Sequence, residues 1–287
     1  MTYPEDLRRE VDDALAEAAL QTGGPASGLA EAMNYSLLAG GKRVRPVLCL
    51  ATARTLGQQV EAFLPAAVAI EMVHTYSLVH DDLPAMDDDA MRRGRPTAHI
   101  EFGEAVAILS GDGLFAEAVS QIVASQFQPD RVLEATGLLT GAAGLDGMVG
   151  GQYVDISGRR LDAEALRGLH SLKTGRLITA SVEIPLALVG VPSSDRAPFL
   201  EFASELGLLF QIVDDILDVT GEEVATGKPS GSDEKHGKVT YATLHGLDGA
   251  RELASESHAR AVRALNGAEG DTEPLRGVAD YIYARES

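Results

Sequence analysis

LGLLFQIVDDILDV, residues 206–219, places Gln211, Asp214 and Asp218 at i, i+3 and i+7. At roughly 100° per helical residue these side chains fall within about 60° of arc. Leu206, Leu209, Val213, Ile216 and Leu217 take the opposite side. The segment reads as a helix that packs through an apolar stripe and turns an anionic face toward an interior surface. The pattern recurs along the chain: alanine, leucine and glutamate dominate the periodic segments, strand-like alternation is scarce, and glycine falls mainly between segments. Helices are predicted at Pro4–Gln21, Ser27–Leu38, Arg45–Leu56, Pro65–Asp82, Glu104–Ser125, Pro129–Gly141, Leu145–Ile156, Ala163–Val189, Ala197–Thr220, Tyr241–Leu265 and Pro274–Arg285. The fold expected is all-α, a large helical bundle. The irregular stretches near Gly23–Gly28, Gly158–Arg160 and Ala225–Gly237 are too short for interdomain linkers, so residues 1–287 read as one domain.

Lys plus Arg is 24 and Asp plus Glu is 43, a net charge of −19, which argues against generic binding to nucleic acid or anionic lipid. Yet Lys42, Arg43 and Arg45 share one short window and Arg92, Arg93 and Arg95 another. Local anion sites inside a repulsive field are thus expected. The single cysteine, Cys49, sits in the apolar run Val47–Ala51 and reads as a buried thiol in a reducing compartment. No apolar run reads as a membrane span and the first twenty residues lack an uninterrupted hydrophobic region, so a soluble, cytoplasmic protein without stable membrane insertion is expected.

A single acidic helix face is often merely solvated. Here Asp81, Asp82, Asp87, Asp88 and Asp89 form a second cluster at the end of the helix that carries His74, Ser77 and Leu78. Clustered carboxylates repel one another, and their hard oxygens suit Mg²⁺ that also binds substrate phosphates. Asp88 would share a face with Asp81 on an unbroken helix, but Pro84 bends the chain, so spacing leaves Asp87 and Asp88 both open. Asp89 can cap a following segment or pair with Arg92 or Arg93. Asp81, Asp82, Asp214 and Asp218, with Asp87 or Asp88, are thus candidate metal ligands. GGKRVRP at 40–46 joins flexible glycines, three cations and a helix-opening proline, and RRGRP at 92–96 directly follows the acids.

These motifs, with HTYSLVHDDLPAMDDDAMRRGRPTAH at 74–99, GGQYVDI at 150–156, LHSLKTGRLI at 169–178, FQIVDDILDVTG at 210–221 and GKPSGSDEKHGKVTY at 227–241, make the chain resemble the trans-type isoprenyl diphosphate synthases. The likeness is greatest to their bacterial farnesyl-producing branch and spans nearly the whole sequence. It implies a bundle of the isoprenoid synthase type with a central cavity, a homodimer, and isoprenoid diphosphate substrates. It favours Asp87 over Asp88, with Asp81, Asp87 and Asp214 as Mg²⁺ ligands. It implies that Lys42, Arg45, His74 and Arg93 hold isopentenyl diphosphate, while Arg92, Lys173, Lys228 and Lys238 gather around the allylic diphosphate.

Ionising an allylic diphosphate demands positive charge on the phosphate side and a dry cavity on the other. Thr174 and Gln211 can offer dipoles to the cation without donating a nucleophile, and with Lys173 they form the expected catalytic group. Tyr76, five residues before Asp81, lies about 7.5 Å deeper along a straight helix. Its projected angle does not itself aim it into the pocket; resemblance to farnesyl-producing relatives makes it the expected product-length stop. Geranylgeranyl diphosphate remains the alternative product. A terpene cyclase would not need the second diphosphate site, and a silent partner subunit would be expected to lose acidic-cluster residues.

Overall fold

The computed structural model describes residues 3–157, 162–220 and 239–285. Their helices are α1 Glu5–Glu17, α2 Ser27–Leu37, α3 Val44–Thr55, α4 Leu64–Asp81, α5 Ala98–Phe102, α6 Glu104–Val123, α7 Pro129–Ala143, α8 Met148–Ile156, α9 Ala163–His170, α10 Arg176–Val189, α11 Ala197–Thr220, α12 Tyr241–Ala264 and α13 Glu273–Ala284. The all-α expectation holds. The stripe that opened the sequence reading is buried at Leu206, Leu209, Val213, Ile216 and Leu217, while Gln211, Asp214 and Asp218 on the other face stay half-buried. Helix α11 packs against α12 and α10, which in turn packs on α3 and α7. Helix α4 is apolar on most sides and is buried along most of its length, flanked by α3 and α6. The main hydrophobic core runs from Tyr3 to Ile282, with a small second cluster of Val79, Leu83, Ala98 and Ala107.

The expected absence of membrane-length apolar helices needs correction. Val60–Asp81 and Glu104–Val123 are both long and apolar enough to cross a bilayer by length and composition. Most of the first lies inside the bundle, so its apolar character is that of a core helix; α6 is far less covered.

Local chemistry explains the other departures. Helix α1 stops at Glu17 rather than Gln21 because the Leu20 amide and carbonyl both bond the Asn34 carboxamide, at 2.9 Å each. The stretch expected as one helix over Ala163–Val189 is interrupted by a π-turn at Ser171–Gly175. Helix α12 kinks at Gly246 (φ 72°, ψ 167°). After α4 comes an unanticipated hairpin, β1 Met91–Arg92 paired antiparallel with β2 Arg95–Pro96. Arg93 and Gly94 lie at its tip with φ of 52° and 73°, the double left-handed turn that usually draws Asn-Gly. Arg-Gly gives little such signal.

Candidate active site

Helix α4 ends at Asp81, and the chain turns back so that the Asp87 amide donates to the Asp81 carbonyl at 2.9 Å. That bond sets Asp87 beside Asp81. Asp88, at φ 53°, is exposed. Burial lifts the Asp81 carboxyl above its usual range; Asp87 and Asp82 add to the lift, while Lys173 and Arg92 oppose it. Asp82 differs from its expected role: it is buried, and its two oxygens take Arg92 Nε and Nη2 at 2.6–2.9 Å. It holds Arg92 beside the acids, with Asp89 also 3.6 Å from Arg92.

On α11, Gln211 is fixed at both ends. Its Oε1 accepts from Thr174 Oγ1 at 3.2 Å and its Nε2 donates to Asp215 Oδ1 at 2.9 Å. Asp215, which the sequence reading passed over, is buried and also accepts the first amide of α12, Tyr241, at 2.7 Å. The π-turn between α9 and α10 presents Lys173 and Thr174 together. Lys173 Nζ bonds Asp155 Oδ2 on α8 at 2.6 Å.

The turn can sit there because α8 offers no side chain at Gly151. A Cβ at that position would lie 2.4 Å from the Lys173 amide nitrogen and 2.6 Å from its Cα. Gly151→Ala is expected to cost about 1–3 kcal/mol through overpacking and to lower turnover by displacing Lys173 and Thr174. Thermal melting and steady-state rates check this; wild-type values for both would refute it.

The basic side is built on strained backbone. Gly40, Gly41 and Arg43 have φ of 80°, 131° and 52°. Arg43 turns inward, donating to Glu71 at 2.5 Å, Asp12 at 3.0 Å and the Leu37 carbonyl at 3.1 Å. Its neighbours differ: Lys42 is exposed and Arg45 is half-buried. The Arg45 Nε is buried and lacks a hydrogen-bond partner among the described residues, and the guanidinium lies 5.5 Å from the Phe210 ring centre. Arg93 donates to the Gly40 carbonyl, its guanidinium filling the space where Gly41 lacks a Cβ. His74 is kept neutral, its pKa driven well below the ordinary value by burial first and then by Arg45, Arg93, Arg92 and Arg43. Arg45, His74 and Arg93 are thus brought together, while Lys42 is next to Gly41 in the same loop and faces Arg285 and Asp214. Lys228 and Lys238 lie outside the described residues.

Arg285 on the last turn of the chain was not anticipated. Its guanidinium lies 5.7 Å from the Phe210 ring centre and 3.3 Å from Asp214 Oδ1, and together with burial it lowers the Lys42 pKa. Nothing local marks a terminal arginine as part of a site nearly the whole chain length from Lys42. Asp155, by contrast, stands in a recognised motif.

His170 is likewise held neutral, lowered to about 4 chiefly by burial, with Lys173 contributing and Asp155 opposing. The unfolded chain takes up these protons first, so stability should fall as pH drops from the ordinary histidine range toward about 4. Urea midpoints should decline over that window, and more shallowly in a His74→Asn/His170→Asn variant. An equal slope would refute the assignment.

The polyprenyl synthetase family profile matches residues 26–273. A farnesyl diphosphate synthase of Geobacillus stearothermophilus is 44% identical over 289 residues, covering 99% of this chain and 97% of the relative. The large subunit 1 of a heterodimeric geranylgeranyl pyrophosphate synthase from Arabidopsis thaliana is 46% identical over 268 residues, covering 90% and 72%. A crystal structure of geranyltransferase from Helicobacter pylori, complexed with magnesium and isoprenyl diphosphate, superposes with a TM-score of 0.87 at 30% identity, covering 99% and 98%. The chain belongs to the polyprenyl synthetase family.

Proposed function

We propose that this prenyltransferase condenses isopentenyl diphosphate with dimethylallyl and then geranyl diphosphate, giving farnesyl diphosphate and diphosphate. The observation that carries the reading is Arg45. Its buried Nε, without a hydrogen-bond partner among the described residues and grouped with His74 and Arg93, is costly unless an anion completes it. This second anion site, apart from Arg92 and Lys173, is what condensation needs and simple ionisation does not.

Among the described residues no three metal-type donors converge. The donor set nevertheless fits Mg²⁺: hard carboxylate oxygens, Asp81 raised by burial and then by its neighbours Asp87 and Asp82, with diphosphate oxygens to complete coordination. Asp81, Asp87, Asp214 and Asp218 would hold it; Asp82 instead steadies Arg92. Bound magnesium would supply the positive charge that draws electrons onto the leaving diphosphate.

Arg92 and Lys173 hold the allylic diphosphate as its C–O bond breaks, the electron pair leaving with oxygen. Lys42, Arg45, His74 and Arg93 hold isopentenyl diphosphate so that its double bond supplies the pair for the new C–C bond. A proton then passes from the isopentenyl carbon to the departing diphosphate. Thr174 stays beside the cation, oriented by its bond to Gln211.

Tyr76 supports farnesyl over geranylgeranyl diphosphate: it is buried, with its ring edge-on to Phe115 on α6 at 5.5 Å and to His80 at 5.9 Å. The continuous core supports one domain. A homodimer is supported by the apolar residues that α6 leaves exposed, Ile108, Leu109 and Val123, and burial of the α4 span agrees with a soluble, cytoplasmic enzyme. Purified protein with Mg²⁺, labelled isopentenyl diphosphate and each allylic starter tests the reading. Farnesyl diphosphate is expected; no condensation with any starter would overturn it.

A further inference from the structure

Helix α8 turns Val149, Tyr153 and Ile156 outward, each more than half exposed, and Met148 and Gly151 inward. Gln152 lies between, one turn before Asp155, and its carboxamide is sealed from solvent. Neither Oε1 nor Nε2 has a hydrogen-bond partner among the described residues. A buried amide left unpaired at both ends is unfavourable and uncommon. The preceding residue touches the Lys173 backbone, and Asp155 holds the Lys173 ammonium. Gln152 is therefore at the π-turn, about 4.5 Å along the helix from the residue that marks the diphosphate end. The other carboxamide of the site, Gln211, is already committed to Thr174 and Asp215.

We propose that Gln152 is a further catalytic residue, its carbonyl dipole facing the allylic carbons as they become cationic. The inference rests on the condensation reading above. In the ionisation step the allylic C–O bond breaks with both electrons leaving on the diphosphate oxygen. Gln152 forms no bond and exchanges no proton. Its neutral oxygen faces the positive allyl fragment and, unlike water, carries no proton whose loss would turn capture of the cation into an alcohol.

The test uses Gln152→Met, which keeps length and removes the dipole, in the full-length protein with Mg²⁺. Two non-reacting probes accompany the turnover assay: an allylic diphosphate analogue with an ammonium at the reacting carbon, and a neutral thiolodiphosphate. Turnover should fall about 100-fold with the isopentenyl KM unchanged. Affinity for the ammonium probe should fall about 10-fold while the thiolodiphosphate binds as before. Melting should occur at or above the wild-type temperature, because an unpaired buried amide has been removed. Unchanged turnover, or equal weakening of both probes with a lower melting temperature, would overturn the proposal. Failure of the wild type to condense any starter would instead overturn the underlying reaction, and this inference with it.

Discussion

Asp81→Asn is expected to fold normally and to turn over at least about 1,000-fold more slowly than the wild type. The two outcomes share a cause. Asp81 is half-buried, and desolvation followed by the nearby Asp87 and Asp82 opposes its charge. Neutralising it relieves repulsion, so the melting temperature should hold or rise. The same change removes the negative charge and one of two carboxylate oxygens from the proposed magnesium site, where charge must be balanced as the diphosphate leaves. Asp214→Asn should lose turnover similarly, but with a small stability cost, because Asp214 also pairs with Arg285 at 3.3 Å. Steady-state rates at saturating Mg²⁺ and thermal melts separate these effects. Near-normal turnover in alanine variants at both positions would sink the acidic-cluster mechanism.

Tyr76→Ala is expected to shift the product from farnesyl toward geranylgeranyl and longer chains. Burial, reinforced by the Asp81 charge, pushes the tyrosine hydroxyl up to about 12, so the ring stays neutral at working pH. Its contribution is steric, held by edge contacts with Phe115 and His80. Loss of the ring opens space along α4 and α6 and should cost roughly 3 kcal/mol in stability. Tyr76→Phe keeps the ring and should keep the product. Chromatography of the dephosphorylated products measures the outcome, and an unchanged spectrum in Tyr76→Ala would remove Tyr76 as the stop.

Helix periodicity made α11 legible because one face is almost wholly apolar and the other carries Gln211, Asp214 and Asp218. Spacing alone could not choose between Asp87 and Asp88. The turn after Pro84 decides their placement through the Asp87 to Asp81 backbone bond, a contact no helical projection contains. Asp82 illustrates a second limit: its neighbours in sequence are acids, but its partner is Arg92, ten residues on, in the first strand of a hairpin with no strong turn signal. Arg285 illustrates a third, since helix α13 could be foreseen from its pattern but not the cavity it would reach.

Arg43, Asp88 and Arg93 are the non-glycine residues with left-handed backbone among those described, and all three sit in the loops that frame the site. Such conformations favour glycine, so each position sets local backbone preference against its side chain. For Arg43, glycine would ease the backbone yet strand Glu71 in the core; for Arg93, it would delete a cation of the second anion site. Sequence drift toward the conformationally easier residue is thus closed off here. Engineers seeking a more heat-resistant variant should leave these corners alone and work on the helices behind them.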